Sequence, residues 1–433
     1  MKGHGTGWLG FLAVLCAWGP CVRGEGAPSS RPRVRPSEWP VRGGNAARTF
    51  QGQALPMEAK PKVAWKRRFL PGDNHSFLEI VGDEKAAFLL CRDLSGRRRR
   101  GMGCRDYVIA VSLSDGKELW RYAPEDLLEA VVALHRGQLF VVSAGGLCAL
   151  DARRGKEVWR TKRSWRAGPS GHDVVADQGR AYVSLRSGEV LAFNSRSGRQ
   201  VWRQKTFPNW DRRPFLTLSA GLLLAAGESE ADIVALSAKD GALLWRRRLP
   251  AFSGKGGNRP SPSGHVSVSG KHVLMVEWAL IGFEYTVARM LALDLQTGEI
   301  RKRIDVEKGE LAGAFAVEGN RAYVGLGSGK VVCYDVAAGR PLWSTSPPQR
   351  RKSGPRYVMP MMVVLGKVLL AATASGELFG LAAPTGEVLW TVPLEADGKV
   401  NDHIVVCGGN VLVTNGAKIW ALRPGQAIRR DEK

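Results

Sequence analysis

Seven near-copies of one short phrase constrain this chain more than any other feature. The clearest copy is Ala149-Leu150-Asp151-Ala152-Arg153-Arg154-Gly155-Lys156-Glu157-Val158-Trp159. It reads as an apolar strand, an Asp, a turn ending on Gly, and a strand closing on Trp. The Trp-equivalent positions are 120, 159, 202, 245, 302, 343 and 390, and one copy carries Lys302 in place of Trp. Their spacing of 39 to 57 residues, filled with short strands, predicts a β-propeller.

Each position of the phrase has a mechanical reading. The small residue, as at Ala149, Ala192, Ala235 and Ala292, leaves room for a neighbouring blade's Trp. The acid, as at Asp115, Asp151, Asp294 and Asp335, folds the turn by accepting nearby backbone N–H groups. The Gly supplies a positive φ. Trp65, Trp120, Trp159, Trp202, Trp245, Trp343 and Trp390 are expected to weld the blades by burying a large apolar area.

The two ends complete the count. Residues 61–67 make a strand around Trp65 with no repeat in front of it. Residues 403–406, 410–414 and 418–422 make three strands with no closing Trp strand behind them. Joined, they supply an eighth blade. The expected fold is all-β: one eight-bladed propeller of four-stranded blades, the ring closed by the N-terminal strand joining the C-terminal blade. Closure removes exposed sheet edges.

The first residues do not belong to the ring. Lys2 and His4 precede an apolar run at 8–18, and small residues follow at Gly24 and Gly26. That is the layout of a secretory signal peptide, and the run is short for a membrane span of about 20 residues. The expected organisation is a signal peptide over 1–24, a flexible Pro/Ser/Arg linker over 25–38, the propeller over 39–428 and a charged tail over 429–433. An exported chain follows, periplasmic or extracellular, and monomeric.

Charge narrows the partners. Removing Lys2 and Arg23 with the leader lowers the formal charge from +23 to +21. Such a surface favours an anionic polymer or an acidic protein of the cell envelope. Nucleic acid is not an expected ligand for an exported protein. In a propeller, the connectors from each outer strand to the next inner strand share a face with the second-to-third strand loops. Basic and aromatic residues gather in those segments: Arg97, Arg98, Arg99, Arg100, Arg163, Trp165, Arg166, Trp210, Arg212, Arg213, Arg350, Arg351 and Lys352. They form the candidate partner-binding face. Beyond the leader there are five cysteines, an odd number, so they cannot all pair within the chain. Cys91 and Cys104 flank one loop and are the candidate disulfide; Cys148, Cys333 and Cys407 lie in apolar strands and read as small buried hydrophobes.

The repeated phrase resembles the tryptophan-docking repeat of the quinoprotein-like propellers, over almost all of the mature chain. The opening Trp39, Pro40, Arg42 and Gly43 is similar to that of secreted bacterial members. The resemblance implies one of two things. Some members are pyrroloquinoline-quinone (PQQ)-dependent dehydrogenases, with the quinone in the central channel, a calcium ion, an Asp base and often a vicinal Cys-Cys pair. Others are non-catalytic and similar to the periplasmic subunit of the bacterial outer-membrane β-barrel assembly machine. This chain has no adjacent cysteine pair. Its acids near inner strands, Asp173, Glu277 and Asp402, stand singly rather than in a constellation. The expectation is therefore a non-enzymatic scaffold with no catalytic, cofactor or metal residues, binding an envelope protein through its basic loop face. The alternatives are a PQQ- and calcium-dependent dehydrogenase, or a propeller that binds anionic glycans.

Overall fold

The computed structural model describes residues 41, 44–45, 48, 51–69, 75–93, 105–124, 128–143, 146–161, 171–177, 179–207, 214–227, 232–250, 261–262, 266–281, 285–306, 312–348, 361–373, 376–394, 403–415 and 418–425. Among the described residues there is no helix; 33 strands form eight antiparallel sheets. Each sheet is one blade. Blade three is representative, with strands Gly171–Asp177, Arg180–Leu185, Glu189–Asn194 and Gln200–Lys205 in chain order from the inside out. Inner strands of consecutive blades pack against one another from blade one through blade eight and back to blade one. The chain is therefore an eight-bladed propeller.

Blade eight is made from both ends. Ile404–Cys407, Asn410–Asn415 and Lys418–Arg423 are its inner three strands, and Lys62–Arg68 pairs antiparallel to Lys418–Arg423 as the outer one. Blade five departs from the four-strand pattern. Its middle strands, His272–Ile281 and Tyr285–Asp294, have ten residues each, and the short strand Ser261–Pro262 pairs with Glu277 and Trp278. The apolar core lies between blades as well as within them. One cluster, for instance, joins Val175, Tyr182 and Ala192 of blade three to Leu216, Leu223 and Val234 of blade four.

One side chain per blade ties it to the next. The indole N–H of Trp65 donates to the Leu113 carbonyl at 2.9 Å, that of Trp120 to Ala152 at 3.0 Å, and that of Trp159 to Ser195 at 2.9 Å. Trp202, Trp245 and Trp343 donate likewise to Ala238, Leu295 and Ala383, each in the following blade. The ring of each Trp lies on the Gly of the next copy of the phrase: a Cβ on Gly155 would sit 2.5 Å from Trp120, and one on Gly241 would sit 2.7 Å from Trp202. These glycines have positive φ, +67° and +80°. Backbone conformation and space thus both require Gly there.

The copy that lacks Trp keeps the same bond. Lys302 Nζ donates to the Ala337 carbonyl at 2.6 Å, and its methylene stem lies over Gly339. The small residue of the phrase does something other than its sequence reading. Ala110, Ala149 and Ala192 sit directly opposite Trp120, Trp159 and Trp202 of their own blade, not of a neighbour. The Trp lies across this small residue toward an aromatic on the second strand, with Phe88–Trp120 and Tyr182–Trp202 ring centroids 5.8 Å apart. A register shift at each of these sites leaves one outer-strand residue outside the ladder. The residue beside the Trp faces solvent as a result, so Leu119, Val158 and Val201 are about half exposed.

The acids of the phrase accept backbone N–H groups. Asp151 Oδ1 bonds Arg153 and Arg154, and Asp294 Oδ1 bonds Gln296 and Thr297. Blade three builds the same turn with Asn194.

The welds and the turns can each be tested. Trp202→Ala should cost about 3–5 kcal/mol by loss of packing. Gly241→Ala should cost about 2–4 kcal/mol, from left-handed strain plus overlap with the Trp202 ring. The double variant should lose less than the sum, because both changes break one contact; urea unfolding measures all three. A second prediction concerns acid. The Thr297 N–H holds the Asp294 carboxyl below the usual aspartate range. A depressed acid stabilises the fold above its unfolded pKa of about 4, and that contribution is lost as pH falls through the folded value. Asp294→Asn should lower neutral stability slightly, since an amide makes the turn (as Asn194 does) without the charge, and should shrink the loss of stability in acid. Urea melts across that pH range check it.

Candidate functional site

The central channel is where a ring of inner strands converges, and in this chain it holds a piece of the chain itself. Arg48, Gln51 and Gly52 between them reach six blades. Arg48 contacts the inner strands of blades three, four and five through Asp173, Leu216 and Ser267. Gln51 donates to Glu318 of blade six and forms a parallel bridge with Val364 of blade seven. The Gly52 N–H donates to the Val364 carbonyl, and a Cβ at Gly52 would lie 2.5 Å from Leu365 and 3.1 Å from Val406 of blade eight. Contact with so many blades within so short a stretch is geometrically open only on the propeller axis. Upstream, Val41 is buried with Phe140 and Val174, of blades two and three. Downstream, the Met57 carbonyl accepts the Trp390 indole N–H at 2.7 Å, where blade eight has no turn of its own to offer.

Arg48 is the centre of this arrangement. It is fully buried, and its φ is +55°. Its Nη2 donates to both Asp173 carboxylate oxygens at 2.7 and 2.8 Å, and its Nε donates to the Leu216 carbonyl at 2.8 Å. The Ser267 hydroxyl donates to the Arg48 carbonyl. Asp173 also accepts the backbone N–H groups of Leu216 at 2.7 Å and Val174 at 2.9 Å. The buried charges are thus paired and hydrogen-bonded, as burial demands. The left-handed backbone of a non-Gly residue is a local cost that these bonds hold in place.

A quinone on the axis would need the space that the buried Arg48 side chain occupies. It would also need an acid that is free to act, and Asp173 is committed to Arg48 and two backbone amides. The residues present do not fit the cofactor that the dehydrogenase resemblance implies. Glu277 lies instead at the base of the long hairpin of blade five, fully buried and ion-paired with Arg289, whose guanidinium also donates to the Pro250 carbonyl. Burial pushes the Glu277 carboxyl up against the lowering pull of Arg289. Asp402 lies outside the described residues. Among the described residues, no three His, Cys, Asp or Glu side chains gather as a metal ion needs.

The basic residues named from sequence, Arg97, Arg98, Arg99, Arg100, Arg163, Trp165, Arg166, Trp210, Arg212, Arg213, Arg350, Arg351 and Lys352, lie outside the described residues. The strand ends that flank them are described. Asp93 and Arg105 end and begin the middle strands of blade one, and Arg160, Lys205 and Thr345 end outer strands. By the antiparallel order of each blade, all of these ends are on one face of the ring. The arginines next to the docking tryptophans have other work. Arg121, Arg160 and Arg203 pair with Glu118, Glu157 and Glu189 at 2.7 to 2.8 Å. Such solvent-exposed pairs contribute little stability, about 0–1 kcal/mol. Cys104 is also outside the described residues, so its pairing with Cys91 remains a proposal; Cys91 is buried opposite Tyr107, its thiol directed at the Leu89 carbonyl. Cys148, Cys333 and Cys407 are buried, and Cys333 takes the place of the small residue opposite Trp343.

Sequence reasoning singled out Asp173 but missed Arg48. The only signal was a lone Arg just past the Trp-Pro-x-Arg-Gly opening, in a stretch with no periodicity.

The fold has close counterparts among solved structures. Quinohemoprotein alcohol dehydrogenase ADHIIG from Pseudomonas putida HK5 superposes with a TM-score of 0.66 at 13% identity, over 92% of this chain and 82% of that one. BamB from Moraxella catarrhalis gives 0.55 at 18% identity, over 84% of this chain and 99% of that one. At such identities the likeness is one of fold. A curated relative, 1-butanol dehydrogenase (cytochrome c) of Thauera butanivorans, is 42% identical over 64 residues, which span 12% of this chain and 9% of that enzyme. The family model described as outer membrane protein assembly factor BamB matches residues 105–278 and 286–427, and with most of its ring so matched this chain belongs to that family.

Proposed function

We propose that this chain is an exported, non-catalytic propeller that acts as a scaffold for an acidic protein of the cell envelope. The observation that carries this reading is the chain's own segment on the axis, with Arg48 fully buried among three blades. Arg48, Gln51 and Gly52 take the axial space where a ring of this kind would hold a small ligand. What remains for recognition is the outside of the ring. Its connectors are rich in Arg and Lys by sequence, whereas the Trp-adjacent Arg121, Arg160 and Arg203 are paired within their blades. The connectors with Arg97 to Arg100 and Arg350 to Lys352 are the binding residues in this reading, and strand order assigns their flanking ends to one face. The likeness in fold to BamB supports a protein-interaction role. The leader over 1–24 supports export.

The test is capture of a defined envelope partner by the purified mature chain. Binding should weaken as salt rises, since charge contacts on an exposed face are screened within about 8–10 Å at physiological ionic strength. Changing Arg97 to Arg100, Arg350 and Arg351 to Ser should weaken it at least about tenfold, or about 1.4 kcal/mol. Binding that is indifferent to salt and to these changes would defeat the reading. So would a saturable absorbance change and dye reduction on adding pyrroloquinoline quinone and calcium.

A further inference from the structure

We propose that Asp173 and the Leu216 carbonyl form a guanidinium-binding site, which the chain fills in cis with Arg48 and which accepts a free guanidinium when the Arg48 side chain is removed. The inference is independent of any partner on the outer face.

The site is more than an ion pair. A carboxylate from blade three and a carbonyl from blade four take the guanidinium. A hydroxyl from blade five, on Ser267, holds the backbone carbonyl of the residue that carries it. Two different nitrogens of the guanidinium are used, Nη2 toward both carboxylate oxygens and Nε toward the carbonyl. That fork suits a planar guanidinium and not a point-charge ammonium. The walls are fixed without the ligand. Asp173 is oriented by the N–H groups of Leu216 and Val174, and the neighbouring inner strands are joined by Thr217 Oγ1 donating to the Val266 carbonyl at 2.7 Å. The ring itself is closed elsewhere, by the outer-strand tryptophans and by the Lys62–Arg68 strand of blade eight. The receptor and its occupant are therefore built from separate parts of the fold. The occupant has a left-handed φ of +55°, whereas the walls belong to inner strands, Asp173 standing beside a register shift in its own. The chemical class that fits is a guanidinium, free or carried by an arginine side chain.

Arg48→Gly is the informative variant, because Gly tolerates the left-handed backbone and only the side chain is lost. It leaves Asp173 buried without its cation, so the melting temperature should fall by about 4–6 °C. Millimolar methylguanidinium should then restore most of that loss in a saturable way, and methylammonium should not. The wild-type chain and Arg48→Gly/Asp173→Asn should show no such rise. If methylguanidinium only lowers the melting temperature of Arg48→Gly, as a weak denaturant would, the proposal is overturned. Should Arg48→Gly not fold alone, its refolding yield with and without methylguanidinium decides the matter: a higher yield supports the site, and an unchanged yield removes it.

Discussion

Ring closure depends on one outer-strand side chain in seven of the eight blades reaching a carbonyl and a bare Gly in the next. The contact combines a hydrogen bond with a face of apolar area, and it recurs from Trp65 on Gly116 around to Trp343 on Gly386. Blade five shows which part is essential. Lys302 has no ring, yet it spans the same gap with its stem and delivers a donor to the same kind of carbonyl. The repeat therefore selects for a long side chain with an N–H at its tip, and Trp is the version that also buries most surface. At the seam Trp390 finds its acceptor at Met57, so the last weld is made to the N-terminal segment.

That seam explains why the segment ahead of blade eight matters. The chain passes along the axis before it reaches the outer edge, and Arg48 is fixed on the way by Asp173, Leu216 and Ser267, one from each of three blades. On the axis the chain's own Arg48 satisfies Asp173, while Gln51 farther along stays exposed.

Much of the fold was legible because the phrase encodes local acts. Asp151 and Asp294 fold turns through bonds to residues two and three positions on, and Gly155 answers to a positive φ. Blade eight was legible from an unmatched Trp65 at one end and an unmatched set of strands at the other. The phrase alone points its small residue at a neighbouring blade's Trp, whereas cross-strand register sets it against the Trp of its own blade, and a bulge in that register has no sequence mark. Lys302 read as a failed copy, because the pattern records residue type and not reach. Arg48 was invisible for a different reason. Its partner Asp173 is 125 residues away, it occurs once, and nothing around it has a period. Asp173 alone looked like an isolated acid near an inner strand, and the cation that satisfies it was not in any repeat.

The most direct test of the account is a double-mutant cycle on Arg48 and Asp173, measured by urea unfolding. If the axial segment is held as described, Arg48→Ala and Asp173→Ala should each be strongly destabilising. Together they should show a coupling of about 2 kcal/mol or more, as expected for a buried charge pair. Losses that add to within about 0.5 kcal/mol would mean that the two side chains do not meet, and the axial placement of Arg48 would be contradicted.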